Sequence, residues 1–413
     1  MTYKITWYPF DDHPRSDSCW SLSTGPEGRV YAAACLENAS GGDAQLFRYN
    51  EGADRLDHIL DVPAAVDDAP DSGRASQCKI HYSFVPSPSD DILYIATHTS
   101  APGANERFFS PWRCWHNPKT RYRGSALIAY DVVKDSVLWW ETMIPQEGCR
   151  CLLHDAERSL LYAVSYPLDH LVCYDLRTKK LTDLGRISSV NAQVLFLDSR
   201  HRVWTSSDDG RLVRFDPEIG RLEISPFVLP HETHYQTGWH AVLYDAVQHP
   251  EEPCVYASTW IARPHIFRFW PEEGEWGRLE DLGPATQDRD PGIPFDTFVD
   301  HCGGLTFADD GWLYYVAARW FDPEETESVP GRREREGVLW GLDPRTGTRK
   351  EVAVLERPDF LSHYIARGAI DRNGDLFFGN VPGDQPPPAG VFKVELPEDR
   401  KQPNVKRPPR MWG

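Results

Sequence analysis

The segment Ser159–Leu176, SLLYAVSYPLDHLVCYDL, reads as two short apolar strands, LLYAVSY and HLVCYD, joined by a tight polar turn. Aromatic and β-branched residues at this density favour pleated strands. The same phrase recurs along the chain. GRVYAAACLE then AQLFRYN falls in a first copy at about 19–62, and DILYIATHTS then ALIAYDV in a second at about 77–143. The quoted segment belongs to a third copy at about 147–186. HRVWTSSDDG with RLVRFDP (190–228), PCVYASTW with HIFRFWP (239–283), GWLYYVAARW with GVLWGLDP (298–356) and GDLFFGN with GVFKVEL (363–396) complete the series.

Seven copies of a four-stranded unit, each roughly 40–60 residues long, are the signature of an all-β fold, a seven-bladed β-propeller. The strand YKITWY, Tyr3–Tyr8, precedes the first copy and has no local partner. It is expected to complete the last blade. Residues 1–413 then form a single propeller domain, because no break separates the repeats as a pair of β-sandwiches would require. Insertions are expected at about 100–124 and 322–337, with irregular chain at 382–391 and in the tail at about 398–413.

Composition agrees. The chain has 15 Trp, 17 Tyr, 34 Pro and 30 Gly but only 3 Met, which suits short strands and tight turns. With 62 acidic and 44 basic residues, the formal charge is −18. A general nucleic-acid binder needs a basic footprint, so that class is excluded, and an anionic ligand would need a local basic pocket. No stretch approaches the ~18–20 apolar residues of a membrane span. No charged start followed by an apolar run opens the chain, so it reads as cytoplasmic, or as secreted or periplasmic with its leader removed. The nine cysteines are scattered and without CxxC pairs, so buried free thiols are expected rather than a zinc site.

In a blade, the start of strand one and the end of strand two lie on the same rim. Copy two, KIHYSFVPSPSDDILYIATH, therefore brings together His81 and His98. Superposing Tyr162 of copy three on Tyr94 places Tyr166 opposite His98, and one residue of slack places Arg150 opposite His81. Copy five offers His240 and Trp260 at the same two points. A base, an acid and a cation around a groove are what β-elimination of a uronic acid needs. A cation must neutralise the carboxylate so that charge can develop as the C5 proton leaves, neutral histidine is a suitable base, and Tyr or a second His can protonate the oxygen leaving C4. The insertion at 100–124 follows His98 directly and carries Trp112, Arg113 and Trp115, on which sugars could stack. The histidines of HETHYQTGWH, His231, His234 and His240, lack the HExxH spacing, so metal ligands stay unassigned.

The run SGRASQCKIHYSF…LYIATHTSAPG (72–103), followed by LLYAVSYP..HLVCYDLRTKKLTDLGRI (160–187), resembles the seven-bladed β-propeller polysaccharide lyases. Within them it looks most like the L-rhamnose–α-1,4-D-glucuronate lyases, and it is similar to the ulvan and oligogalacturonate lyases. The resemblance implies a catalytic centre of His81, His98, Tyr166 and Arg150. Arg186, in LTDLGRI, is a second candidate partner for a carboxylate. In copy five, where an arginine would also suit an acidic sugar, this chain has His240. No cofactor is required for the chemistry, and a structural Ca²⁺ in the central tunnel is implied by the resemblance alone. The expected protein is a monomer acting on an acidic oligo- or polysaccharide. Two rivals stay open: a propeller glycoside hydrolase of the α-L-rhamnosidase type, whose site lies on the opposite face of the disc, and a non-catalytic glycan-binding propeller.

Overall fold

A computed structural model describes residues 3–37, 42–68, 73–88, 90–102, 106, 109–188, 192–230, 242–260, 264–286, 301–320, 335–357, 364–381 and 388–401. His231, His234 and His240, most of the expected insertion at 322–337 and most of the C-terminal tail lie outside these residues.

The strands form seven four-stranded antiparallel sheets, each a simple meander of neighbours in sequence, except that the last borrows its fourth strand from the N-terminus. The sheets span 22–61, 84–145, 148–186, 196–228, 242–284, 302–354 and 365–395, and are numbered here as blades one to seven. The protein is a seven-bladed β-propeller. The first strands of successive blades touch one another. Val242–Gln248 meets Cys302–Phe307, which meets Ile365–Ile370, which meets Leu22–Thr24. The first strand of each blade is therefore the innermost and lines the tunnel.

The outer strands are half polar, as in Lys180–Arg186, whereas the inner strand Gly148–Asp155 is buried along its whole length. Blades pack face to face through interdigitating apolar side chains. Leu153, Tyr162 and Val164 of blade three, for instance, share one cluster with Phe196, Trp204 and Phe215 of blade four. All nine cysteines are free; eight are buried and Cys173 is half-buried. No described helix is long and apolar enough to cross a membrane.

The ring closes as the sequence predicts. Lys4–Pro9 pairs antiparallel with Gly390–Glu395, Lys4 opposite Glu395 and Pro9 opposite Gly390. Trp7 packs on Phe392 at 4.7 Å and Phe10 on Phe47 of blade one at 4.8 Å. Two details differ from the sequence reading. The strand Arg335–Leu342 begins inside the expected second insertion, because its pairing with blade six starts at Arg335 opposite Trp320. Residues Glu398–Arg400 form a 3-10 turn rather than irregular chain, and the Arg400 guanidinium donates to Asp310 (3.2 Å) and Tyr314 (3.0 Å) of blade six.

Deleting residues 1–9 removes the strand that covers the edge of Gly390–Glu395. Bare edges pair with other chains. The truncated chain is expected to melt several degrees lower and to form oligomers in light scattering; a monomer with unchanged Tm would contradict this closure.

Candidate functional site

Irregular strand geometry builds the site. In blade two the N–H of His98 donates to the carbonyl of Lys79 (2.7 Å) and the N–H of Lys79 donates back (3.2 Å). Regular pairing resumes only at Phe84 opposite Ile95. Between these points the chain makes a three-residue turn, the Ser83 N–H donating to the His81 carbonyl at 2.8 Å. In blade three the register slips between Cys149 and Cys151, which leaves Arg150 as the extra residue of a bulge. A bulge re-aims a side chain at the cost of one ladder position. The freed Arg150 carbonyl accepts the N–H of Tyr82 (2.9 Å) and the Nδ1–H of His81 (2.8 Å). A carbonyl only accepts, so His81 Nδ1 carries the proton and the neutral ring presents its lone pair at Nε2.

Four of the residues expected from the sequence come together. The rings of His81 and His98 lie 5.5 Å apart, and those of His98 and Tyr166 lie 4.6 Å apart. The Arg150 guanidinium sits 4.7 Å from the centre of the Tyr166 ring. His98 Nδ1 is buried without a hydrogen-bond partner among the described residues. Gly148 makes room for that ring, since a Cβ there would lie 2.5 Å from His98 Nδ1. Burial, with Lys79, His98 and Arg150 nearby, holds His81 well below the ordinary histidine range. Burial, then Lys79 and Arg150, does the same for His98. Burial raises the Tyr166 phenol, while Arg150 pulls it the other way. The arrangement thus contains two neutral imidazoles, a protonated phenol and a fixed cation.

The remaining expected residues scatter. Trp112 is 70% exposed, on a 3-10 turn, Pro111–Cys114, that carries it into solvent. Arg113 faces Glu106 at 3.7 Å. From this insertion it is Phe109 that approaches the site, 6.0 Å from Tyr166. Arg186 is exposed on the outer strand of blade three, its Nε donating to the Ser188 carbonyl (2.8 Å). Trp260 stands at the end of the second strand of blade five, 6.0 Å from Tyr244 and 5.8 Å from His301.

The sequence reading passed over the wall that joins these two groups. Trp20 stacks on His81 (4.6 Å, 21°) and meets Tyr364 edge-on at 5.6 Å. Tyr364 lies 3.6 Å from His301, ring centre to ring centre, and shares a 2.6 Å hydrogen bond with the Tyr244 hydroxyl. An aromatic wall therefore runs from His98 past Trp20 to Trp260. Lys79 Nζ lies 4.1 Å from the centre of the Trp20 ring and 2.8 Å from Glu37. A signal for these was available. Trp20 precedes the inner strand of blade one, and Glu37 follows its second strand. They satisfy the same rim rule that paired His81 with His98. Lys79 precedes His81 by only two residues.

Among the described residues no three His, Cys, Asp or Glu side chains gather in a group that could hold a metal ion. The buried carboxylate of Asp245, on the inner strand of blade five, already has a cation, Arg367 from the inner strand of blade seven. That guanidinium also lies 3.9 Å from the ring centre of Tyr82 in blade two. These contacts skip blades on both sides, so Arg367 reaches across the tunnel.

No family model matches the chain, and no curated protein matches it. Solved structures share its fold. The extracellular domain of the putative one component system BT4673 from B. thetaiotaomicron aligns over 95% of this chain, with 13% identity and a TM-score of 0.55; this chain spans only 40% of that one. A streptogramin B lyase aligns over 96% of this chain and 98% of its own, with 10% identity and a TM-score of 0.57. A copper-bound fungal alcohol oxidase of the AA5 family aligns over 96% and 76%, also with 10% identity and a TM-score of 0.57. At these identities the likeness is one of fold. Two of these structures are enzymes by name and one is an extracellular domain of a one component system.

Two outcomes follow. Both imidazoles are neutral in the folded chain, and folding opposes their protonation. Their contribution to stability is therefore full above about pH 6.5, the ordinary histidine value, and declines as the pH falls from there toward their lowered folded values. Imidazole NMR titration should show both still neutral below pH 6.5; either ring titrating at the ordinary value contradicts the buried geometry. Gly148→Ala should displace the His98 ring and shift its imidazole NMR signals, while circular dichroism remains that of a folded propeller; unchanged His98 signals would contradict the close contact.

Proposed function

We propose that the protein is a polysaccharide lyase that splits the bond at C4 of a uronic acid by β-elimination, the uronic acid carrying rhamnose at O4. The observation that carries this reading is the neutral His81, whose Nδ1 donates to the Arg150 carbonyl and whose Nε2 is left as the base, beside Tyr166 and the Arg150 guanidinium. His81 Nε2 takes the C5 proton. Arg150 offsets the carboxylate charge, so that electron density from the C5–H bond can pass into it. The C4–O4 bond then breaks, a C4=C5 double bond forms, and Tyr166 gives its proton to the departing oxygen. His98 packs between His81 and Tyr166 and holds both at the reacting edge of the sugar. Trp20 and Tyr364 supply apolar faces for the ring.

A second reading has an observation of its own. At the far ends of the inner strands, a cavity of about 390 Å³ is lined by His154, Asp155, Glu157, His201 and Glu272. There His201 Nδ1 lies 2.9 Å from Asp155 and Nε2 lies 3.2 Å from Glu157. A hydrolase using the opposite face would work from this cavity.

Ultraviolet absorbance during incubation with rhamnose-capped arabinogalactan, ulvan and oligogalacturonate separates the two. The lyase reading expects a rise from the conjugated double bond, reduced roughly 10²–10⁴-fold by His81→Ala, the usual worth of a general base. Release of rhamnose without absorbance, abolished by His201→Ala but not by His81→Ala, would replace it with hydrolysis.

A further inference from the structure

Lys79 and Glu37 have no role in the chemistry above, yet they adjoin it. Lys79 is almost fully buried (2% exposed), two residues before His81 in the segment that leads into the inner strand of blade two. Its ammonium is held by Glu37 Oε2 at 2.8 Å. The same oxygen accepts the indole N–H of Trp20. Trp20 in turn stacks on the His81 ring. One carboxylate oxygen thus collects a cation and an N–H donor within one indole width of the base. The two partners differ in freedom. The Glu37 side chain is 27% exposed and can turn to solvent, whereas Lys79 cannot leave.

We propose that the Lys79–Glu37 pair is an exchangeable carboxylate site, in which the carboxylate of an incoming uronate replaces that of Glu37 on Lys79 and the Trp20 indole. The inference rests on the lyase reading and deepens it by naming the group that selects an acidic sugar. Exchange of one carboxylate for another avoids an unpaired buried ammonium at any stage, which would be costly. It gives a chain of net charge −18 a way to admit an anion, since the outgoing charge moves to water as the incoming one is buried. It also places the uronate carboxylate beside Trp20, so that C5, bonded to that carboxylate, lies toward His81. Neutral sugars lack the group that displaces Glu37 and leave the pair closed. Lys79 lowers the affinity of both histidines for protons, second to burial in each case, so the same cation keeps the base neutral.

The two partners should respond in opposite directions. The probes are the methyl glycoside of glucuronic acid, which has no sugar at O4 to expel, and its uncharged amide, titrated calorimetrically into the full-length protein. Wild type should prefer the acid. Lys79→Met should weaken the acid about 10- to 100-fold, the worth of a hydrogen bond to a charged group, with little effect on the amide. Lys79→Arg should retain most of the affinity. Glu37→Gln removes the competitor and should tighten the acid. Weakening by Glu37→Gln, or an unchanged affinity in a folded Lys79→Met, would overturn the exchange and leave the lyase reading standing. If Lys79→Met fails to fold, the direction of the Glu37→Gln effect decides. A wild type that does not discriminate acid from amide would overturn both.

Discussion

One backbone oxygen joins the two blades that carry the candidate site. The Arg150 carbonyl accepts the N–H of Tyr82 and the Nδ1–H of His81, and so ties the inner strand of blade two to that of blade three. It is free to do so because Arg150 is the extra residue of a bulge and its carbonyl is released from the regular ladder. The same bond selects the histidine tautomer. The bulge that supplies the acceptor also swings the guanidinium over Tyr166. Imidazole orientation, cation position and blade docking are consequences of one slipped register.

Comparable slips recur around the ring. Blade five loses register between Leu243 and Asp245, and blade seven between Ile365 and Gly368. Tyr244 and Arg367 fall in these slips and are turned toward the tunnel, where Tyr244 meets Tyr364 and Arg367 meets Asp245. Buried cations, Lys79, Arg150 and Arg367, gather at the centre of a chain whose surface is acidic. Lys79 is held by Glu37 of the neighbouring blade one, and Arg367 is held by Asp245 from two blades away. Cations therefore lie buried where an anionic ligand would need them.

The fold was legible because its grammar is local. A strand of alternating aromatic and β-branched residues, a polar turn and a second such strand can be read within about 20 residues, and seven repetitions leave one topology. The pairing of His81 with His98 was legible for the same reason, since both lie in one hairpin. Tyr166 and Arg150 needed only the assumption that adjacent blades are alike. Trp112 and Arg113 were placed near the site because they follow His98 in sequence. An insertion obeys no repeat, and Phe109 rather than Trp112 turns inward. Trp20, Glu37, His301 and Tyr364 lay at rim positions of other blades, but their importance comes from contacts between blades up to the full length of the chain apart.

By itself, then, the sequence determined the strand periodicity, the number of blades, the closing strand and the hairpin that carries both histidines, because each depends on neighbours a few residues away. Only the tertiary structure decided which rims face one another across the tunnel. It alone decided that His81 is read by a carbonyl of the next blade, that Glu37 of blade one holds Lys79 of blade two, and that Arg367 reaches Asp245. Those contacts depend on bulges, which break the period-two alternation, and on ring closure, which brings together residues that no local pattern relates.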